Sequence, residues 1–383
     1  MNKRDFLKTS TLATASVVAQ PFGTLGIKAF PQQKNGKKAL MLGGRGFMGP
    51  SIVRALLTAG YEVTLLNRNK TNTNLFTDLP LIVCDREREN KAGLKAIPKK
   101  HKETYWDVVV DTWQKSSKAV ADFLEEFEEN IGHYHYISTI SVYDKWDDKY
   151  IVESEPLNPL PPTPTTIAEA FRYALRKTFA EEAIRKRLDN YTIYRSAGMK
   201  DYRTDRKGDY SAEPYWPVRF NRGGEILVPK IDNHDIQFTD VQSLVRFVVH
   251  CAENKTYGEF NVAHPTMAFE DYISCLAYVT QKPHKLHWIE GDFLKKEGLI
   301  PYRIVPFWRD RPAGAYYFNV QKALSAGLVN RPVTEMLADQ VAGYLSRYPN
   351  DEVRFGITVG DKTIKYFSME KEKEVIRKWL TRS

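Results

Sequence analysis

Gly43-Gly44-Arg45-Gly46-Phe47-Met48-Gly49 stands between an apolar run at 37–42 and a stretch at 50–59 whose apolar residues, Ile52, Val53, Leu56 and Leu57, recur at helical spacing. The run predicts a strand and the stretch a helix that stops at Gly60. Between them, glycines allow a tight turn that other residues resist. The order Gly44-x-Gly46-x-x-Gly49 leaves bare backbone where the first N–H groups of the helix are unpaired. Partial positive charge gathers there, and a phosphate can approach closely. Gly49 lets helix and strand pack closely.

Working outward, residues 62–66 alternate as a second strand and 81–84 form a third. Residues 106–111 form a β-branched fourth, 117–127 an amphipathic helix and 134–139 a fifth strand. A proline-rich loop at 156–164 leads to a helix at 167–186, and 191–194 make a sixth strand. This alternation predicts an α/β fold with a doubly wound parallel sheet of Rossmann type. In that setting the loop predicts a dinucleotide, NAD or NADP, held by Gly43, Gly44, Arg45, Gly46, Phe47, Met48 and Gly49. The second strand ends Leu66-Asn67-Arg68-Asn69-Lys70, without a carboxylate. Asn67 could accept from a ribose hydroxyl and Arg68 could pair with a 2′-phosphate, which leans towards NADP. Asp85, followed by Arg86, either meets the adenine amino group or caps a turn.

Past residue 200 the rhythm breaks. Residues 201–235 are loop-rich, while 237–240, a helix at 241–252 and a last strand at 260–263 predict a return to the sheet. The expected organisation is a signal and linker at 1–30, a dinucleotide-binding domain at 37–200 rejoined by 236–263, and a smaller C-terminal substrate-binding lobe at 201–235 and 264–383.

The 383 residues are 42% hydrophobic and 27% charged, which excludes global disorder, a collagen-like repeat and a coiled coil. Cys84, Cys251 and Cys275 lie far apart, without a CxxC pair, against a disulfide scaffold or a cysteine zinc site. His234 and His264 lack metal-ligand spacing. No run of 18 apolar residues predicts a membrane span. The net charge of +9 includes +3 from the first 30 residues and does not call for nucleic acid. Those residues open Lys3-Arg4-Asp5-Phe6-Leu7-Lys8 before a mildly apolar stretch at 9–18. This resembles a twin-arginine export signal with Lys in place of the first Arg. It implies a periplasmic or exported protein; the alternative is a basic tail on a cytoplasmic one.

Tyr173 and Lys177 are four residues apart, so they share a helix face. A nearby ammonium favours phenolate and makes a tyrosine usable as a general acid/base. The fifth strand ends in Ile137-Ser138-Thr139-Ile140-Ser141-Val142-Tyr143. Hydroxyls there would lie at the C-terminal edge of the sheet, where ligands bind.

On the glycine loop, Asp85, 138–143, Tyr173-xxx-Lys177 and Gln237-Phe238-Thr239-Asp240, the chain resembles the extended short-chain dehydrogenase/reductases, in their NAD-dependent epimerase/dehydratase branch. The resemblance covers roughly 37–263. It implies hydride removal from a carbinol carbon, with Tyr173 taking the proton. It places the catalytic hydroxyl on Thr139, with Ser138 and Ser141 as neighbours, and implies cofactor contacts from Lys177 and Trp113. The 215–219 and 222–229 segments resemble an atypical bacterial subgroup, to which the chloroplast stem-loop RNA-binding proteins are also similar. The chain departs from the family at Arg195-Ser196, where Arg-Pro is usual, and at Asp111-Thr112-Trp113-Gln114, where alanines are. Trp113 would narrow the site.

Ser141, Tyr143, Tyr215, Trp216 and Arg219 are the candidate substrate-binding residues. Arg195, Arg203, Arg206, Tyr210 and Arg222 join them in the segment expected to cap the site; Trp308, Arg309 and Arg311 are similar but less placed. Arginines with aromatics suit a sugar, an acidic sugar or a diphosphate, or else plain packing. The expected function is an epimerase, isomerase or dehydratase that reduces and reoxidises its cofactor in one cycle. Alternatives are a net reductase or dehydrogenase and a non-catalytic RNA-binding relative. The expected partners are a sugar-like small molecule and, as an alternative to a monomer, a second copy of the chain.

Overall fold

Valines at 108–110 are β-branched and wholly buried, the pattern of a strand covered on both faces. In the computed structural model, Val108–Asp111 is indeed an interior strand. The structure describes residues 36–144, 150–160, 173–201, 215–232, 234–299, 301, 305–308, 317–347, 356–359, 362–365 and 368–382. The export-signal residues lie outside these, as do Arg203, Arg206, Tyr210, Arg309 and Arg311.

The central sheet has β1 (Lys38–Leu42), β2 (Glu62–Asn67), β3 (Leu81–Val83), β4 (Val108–Asp111), β5 (Tyr134–Thr139) and β6 (Tyr191–Ser196). A seventh strand, Gly258–Val262, lies beyond β6. The order is β3-β2-β1-β4-β5-β6-seventh, every neighbour parallel. The direction of winding reverses between β1 and β4, whose ends meet in the pair Leu42–Asp111. Such a reversal opens a crevice at the carboxyl ends of the strands.

Helices cover both faces because both faces are apolar. Helix α1 (Gly49–Thr58) and the helix Val241–Asn254 bury Ile52, Val53, Leu56, Leu244 and Val248 on one face. Ser117–Phe127 and Tyr173–Arg187 bury Val120, Phe123, Leu124, Ala180 and Ile184 on the other. Caps follow the sequence: the Ser116 side chain accepts from Ala119 N, and Asp240 accepts from Ser243 N. Gly60, with φ +84, ends α1 as its sequence predicts.

A second core lies in the later part of the chain. The helices Tyr215–Arg222 and Phe269–Thr280 pack with the parallel pair Gly224–Lys230 and His284–Glu290, and with Met336, Leu337, Val375 and Ile376. One expectation needs correction. Residues 237–240 do not return to the central sheet: Thr239–Asp240 pairs with Met199–Lys200 as a separate two-residue ladder. The side chain of Thr239 accounts for this, since it accepts from Ala197 N and donates to Val262 O, bridging the ends of two sheet strands without joining them. No helix among the described residues is long and apolar enough to cross a membrane.

Candidate active site

The glycine loop leaves β1 at the crevice. Gly43 and Gly44 have φ of +116 and +87, conformations that favour glycine. A Cβ on Gly44 would come within 2.9 Å of Leu65 Cδ2, and one on Gly49 within 2.9 Å of the Gly44 backbone. A Cβ on Gly46 would meet nothing within 4 Å. Two glycines therefore serve close packing, and the third leaves open space beside the start of α1. Met48 is buried in the core, and Phe47 packs partly against it.

The end of β2 is tied to this loop. Asn67 Nδ2 donates to Gly43 O at 3.0 Å, and Asn67 Oδ1 accepts from Asn69 N at 2.8 Å. The Asn67 amide, expected to meet a ribose, is thus already engaged in shaping the loop. Arg45 Nη1 donates to Asn69 Oδ1 at 2.6 Å, and Asn72 Nδ2 donates to Arg45 O at 2.8 Å. Asp85 accepts from Glu87 N at 3.2 Å, the turn-capping alternative of its two expected roles.

Beside them lies the end of β4. Asp111 is wholly buried and accepts from Arg86 Nη1 and Nη2 at 2.8 and 2.9 Å, from Tyr134 Oη at 2.8 Å and from Trp113 N at 2.8 Å. Burial alone would raise its carboxyl; the Arg86 charge and these hydrogen bonds outweigh it and hold the group below the ordinary range. Arg86 is expected at the cofactor, yet its guanidinium is occupied by Asp111. Two cations lie near the Trp113 ring, Arg68 5.5 Å and Arg86 5.4 Å from its centroid.

β5 delivers the hydroxyls. Ser138 turns inward and donates to Glu181 Oε1 at 2.5 Å. Thr139 Oγ1 accepts from Ser141 N at 3.2 Å and donates to Ser141 Oγ at 3.3 Å. Of the three candidates, Ser138 is therefore committed to the interior, while Thr139 and Ser141 form a pair at the strand end. Lys177 Nζ donates to Ile137 O at 2.6 Å and Trp113 O at 2.8 Å, and sits 4.3 Å from the Tyr136 ring centroid. Burial pushes its ammonium down to about 7, against the pull of Asp111 and Glu181. Tyr173, one turn earlier on the same helix, is 38% exposed. The lysine thus joins the ends of β4 and β5, with the tyrosine at the rim.

The model of the NAD dependent epimerase/dehydratase family matches residues 39–263. The chain belongs to that family. It is accordingly an enzyme of the extended short-chain dehydrogenase/reductase type, using a nicotinamide dinucleotide. No curated protein matches it significantly in sequence. Among solved structures it is similar to a UDP-glucose 4-epimerase, with TM-score 0.59 and 15% identity over 82% of this chain and 99% of that one. It is also similar to the UDP-Glc/GlcNAc 4-epimerase of Campylobacter jejuni, with TM-score 0.58 and 14% identity over 81% and 100%. A third is the UDP-glucuronic acid 4-epimerase of Bacillus cereus in complex with NAD, with TM-score 0.55 and 16% identity over 81% and 99%. These likenesses show the fold.

The residues present fit the dinucleotide of an epimerase/dehydratase: the open side of Gly46 leaves room for a phosphate, and Arg45 is a buried cation whose Nε has no partner among the described residues. The second-lobe candidates, in contrast, face the interior. Tyr215 and Trp216 are buried in the second core, where Trp216 Nε1 donates to Pro306 O at 2.9 Å. Arg219 Nε donates to Glu372 Oε2 at 2.7 Å, and Nη1 to Gly223 O at 2.8 Å. Of the two expected roles for these residues, packing is the one their surroundings supply. Arg195 is also internal, bound to Glu181, to Glu153 O and to Tyr143. Tyr143 Oη donates to Asn261 Oδ1 at 2.7 Å, and burial pushes its phenol up to about 12. Glu181 opens a charged run, 181–187, that reads in the sequence as a solvated helix face, yet it is fully buried and ties Ser138 and Arg195 to the tyrosine helix. Its one visible signal is the four-residue step beyond Lys177.

Proposed function

We propose that this enzyme interconverts a sugar-like substrate at a hydroxyl-bearing carbon, as a redox-neutral epimerase, isomerase or dehydratase. The observation that carries the reading is Lys177, buried and bound to the ends of β4 and β5, one helical turn from the exposed Tyr173. When bound, the dinucleotide supplies a hydride acceptor. Tyr173 Oη takes the proton of the substrate hydroxyl and returns it later in the cycle. Lys177, when charged, favours the phenolate that makes this exchange feasible near neutral pH. Thr139 Oγ1 holds the substrate oxygen beside it.

Two further considerations support the redox-neutral form. A folded enzyme exported by the signal proposed at residues 3–8 has no pool with which to exchange reduced cofactor, so a retained one suits it. Export also favours a free sugar, glycoside or uronate over a nucleotide sugar. The sugar class draws support from the solved neighbours, among which are UDP-sugar epimerases.

The test is to denature gently purified protein and assay the released nicotinamide. Stoichiometric dinucleotide supports the retained, redox-neutral cycle. An empty protein that binds reduced dinucleotide reversibly turns the assignment to a net reductase. Absorbance at 340 nm during incubation with a panel of sugars and uronates reads transient reduction. Tyr173→Phe is expected to slow it about 10²–10⁴-fold; unchanged turnover excludes the tyrosine as acid/base.

A further inference from the structure

We infer that Arg45, with Arg68 and Lys70, forms a site for a phosphate monoester on the adenosine ribose, so that this protein selects the 2′-phosphorylated dinucleotide. The inference rests on dinucleotide binding at the glycine loop and adds the chemical form of the ligand.

Four arginines are buried among the described residues: Arg45, Arg86, Arg195 and Arg219. Three of them hold a carboxylate, Asp111, Glu181 and Glu372 respectively. Arg45, only 5% exposed, has no carboxylate among the described residues. Among the described residues its guanidinium makes one hydrogen bond, to the neutral Asn69 side chain, and its Nε has no partner. A buried cation without a counter-charge is costly, and folded proteins rarely leave one so. An anion that arrives with the ligand would complete it.

The position indicates which anion. A phosphate over the bare backbone of Gly46 meets the start of α1. Arg45 is instead tied to Asn69, two residues past the end of β2, where the ribose of the adenosine half is recognised. An enzyme that prefers an unmodified ribose places a carboxylate there. Here the run is Asn67-Arg68-Asn69-Lys70-Thr71-Asn72, with no acid to repel a phosphate. Arg68 stacks on Trp113 and Lys70 is exposed, and neither pairs with a carboxylate among the described residues. Trp113 is itself fixed, through its N–H to Asp111 and its carbonyl to Lys177, so Arg68 rests on a rigid platform. Guanidinium groups in such settings suit the fork geometry of a phosphate.

The test is calorimetric binding to the full-length protein after removal of any copurified nucleotide. The probes are NADP+, NAD+, adenosine 2′,5′-bisphosphate and 5′-AMP. The wild type is expected to bind NADP+ at least about tenfold tighter than NAD+, and the bisphosphate tighter than 5′-AMP by a similar factor. The preference should shrink with added salt. Arg45→Gln and Arg68→Gln should each lower the NADP+ to NAD+ affinity ratio about tenfold, because each loses more binding for NADP+ than for NAD+. Should Arg45→Gln not fold, the wild-type ratio and the half-exposed Arg68 still decide. Equal affinities, tighter NAD+, or variants that weaken both dinucleotides alike overturn the proposal and leave dinucleotide binding standing. Failure to bind any probe overturns both.

Discussion

A methyl group added at Gly46 touches no protein atom, whereas one at Gly44 or Gly49 collides at 2.9 Å. The same residue type therefore serves ligand space in one place and packing in two. Gly46→Ala is expected to melt like the wild type yet lose at least about tenfold in dinucleotide affinity, because the added carbon occupies the space left for a phosphate. Gly44→Ala, at φ +87, should cost about 1–3 kcal/mol of stability. Thermal melts and calorimetry together read both. Unchanged binding by Gly46→Ala would show that the ligand does not approach there. Lys177 carries a pH expectation at the same scale. Its ammonium, pushed down by burial to about 7, is charged below that value and neutral above it. Its support for the Tyr173 phenolate therefore fades as pH rises through 7, and a pH–rate profile should turn there in the wild type but not in Lys177→Met.

At the scale of elements, the helix Tyr173–Arg187 carries Tyr173, Lys177 and Glu181 at four-residue steps. Tyr173 stays at the rim, Lys177 binds the ends of β4 and β5, and Glu181 anchors the helix to β6. The Arg195–Glu181 pair is closed at 2.8 Å with both side chains buried. Its members also hold Ser138, Tyr143 and the Glu153 carbonyl, so the end of β5 that bears Thr139 is framed on several sides. Glu181→Leu leaves Arg195 buried and without its carboxylate, and should cost about 3–5 kcal/mol in chemical denaturation. The double variant Glu181→Leu/Arg195→Met should recover much of that loss while disturbing turnover. A double variant as unstable as the single one would show that the pair contributes more than charge balance.

Across the whole molecule, stability should depend on acid through histidines. His133 and His135 stack with centroids 3.8 Å apart and bond Thr192 and Tyr194. Burial lowers His133 to about 3 and His135 well below its ordinary value, where a charged His133 would add repulsion. His264 is lowered by burial as well. Their unfolded forms protonate near pH 6.5 while the folded forms stay neutral. The stability they contribute is complete above pH 6.5 and falls as pH drops below it, by up to about 1.4 kcal/mol per pH unit for each, and for His133 the fall continues to about pH 3. Denaturation midpoints between pH 7 and 5 check this, and His133→Gln should flatten the slope by one histidine's share.

Much of this protein is legible along its sequence. The periodicities of 2 and 3.6, the glycine loop and the caps at Ser116 and Asp240 depend on residues close together in the chain. These features mark the strands of the sheet and the helices around it to within a few residues, and they place the dinucleotide loop and the Tyr173–Lys177 step. The partners of charged groups are a different matter. Arg219 meets Glu372, and Arg331 meets Asp240, across 153 and 91 residues. Tyr215, Trp216 and Arg219 have the composition of a sugar site and the surroundings of a core; only packing distinguishes the two. Arg45 looks like any loop cation in the sequence, and its burial, without a carboxylate among the described residues, emerges only once β2 folds beside the glycine loop. Local structure follows from neighbours along the chain, while the balance of buried charge is decided by which elements the fold brings together.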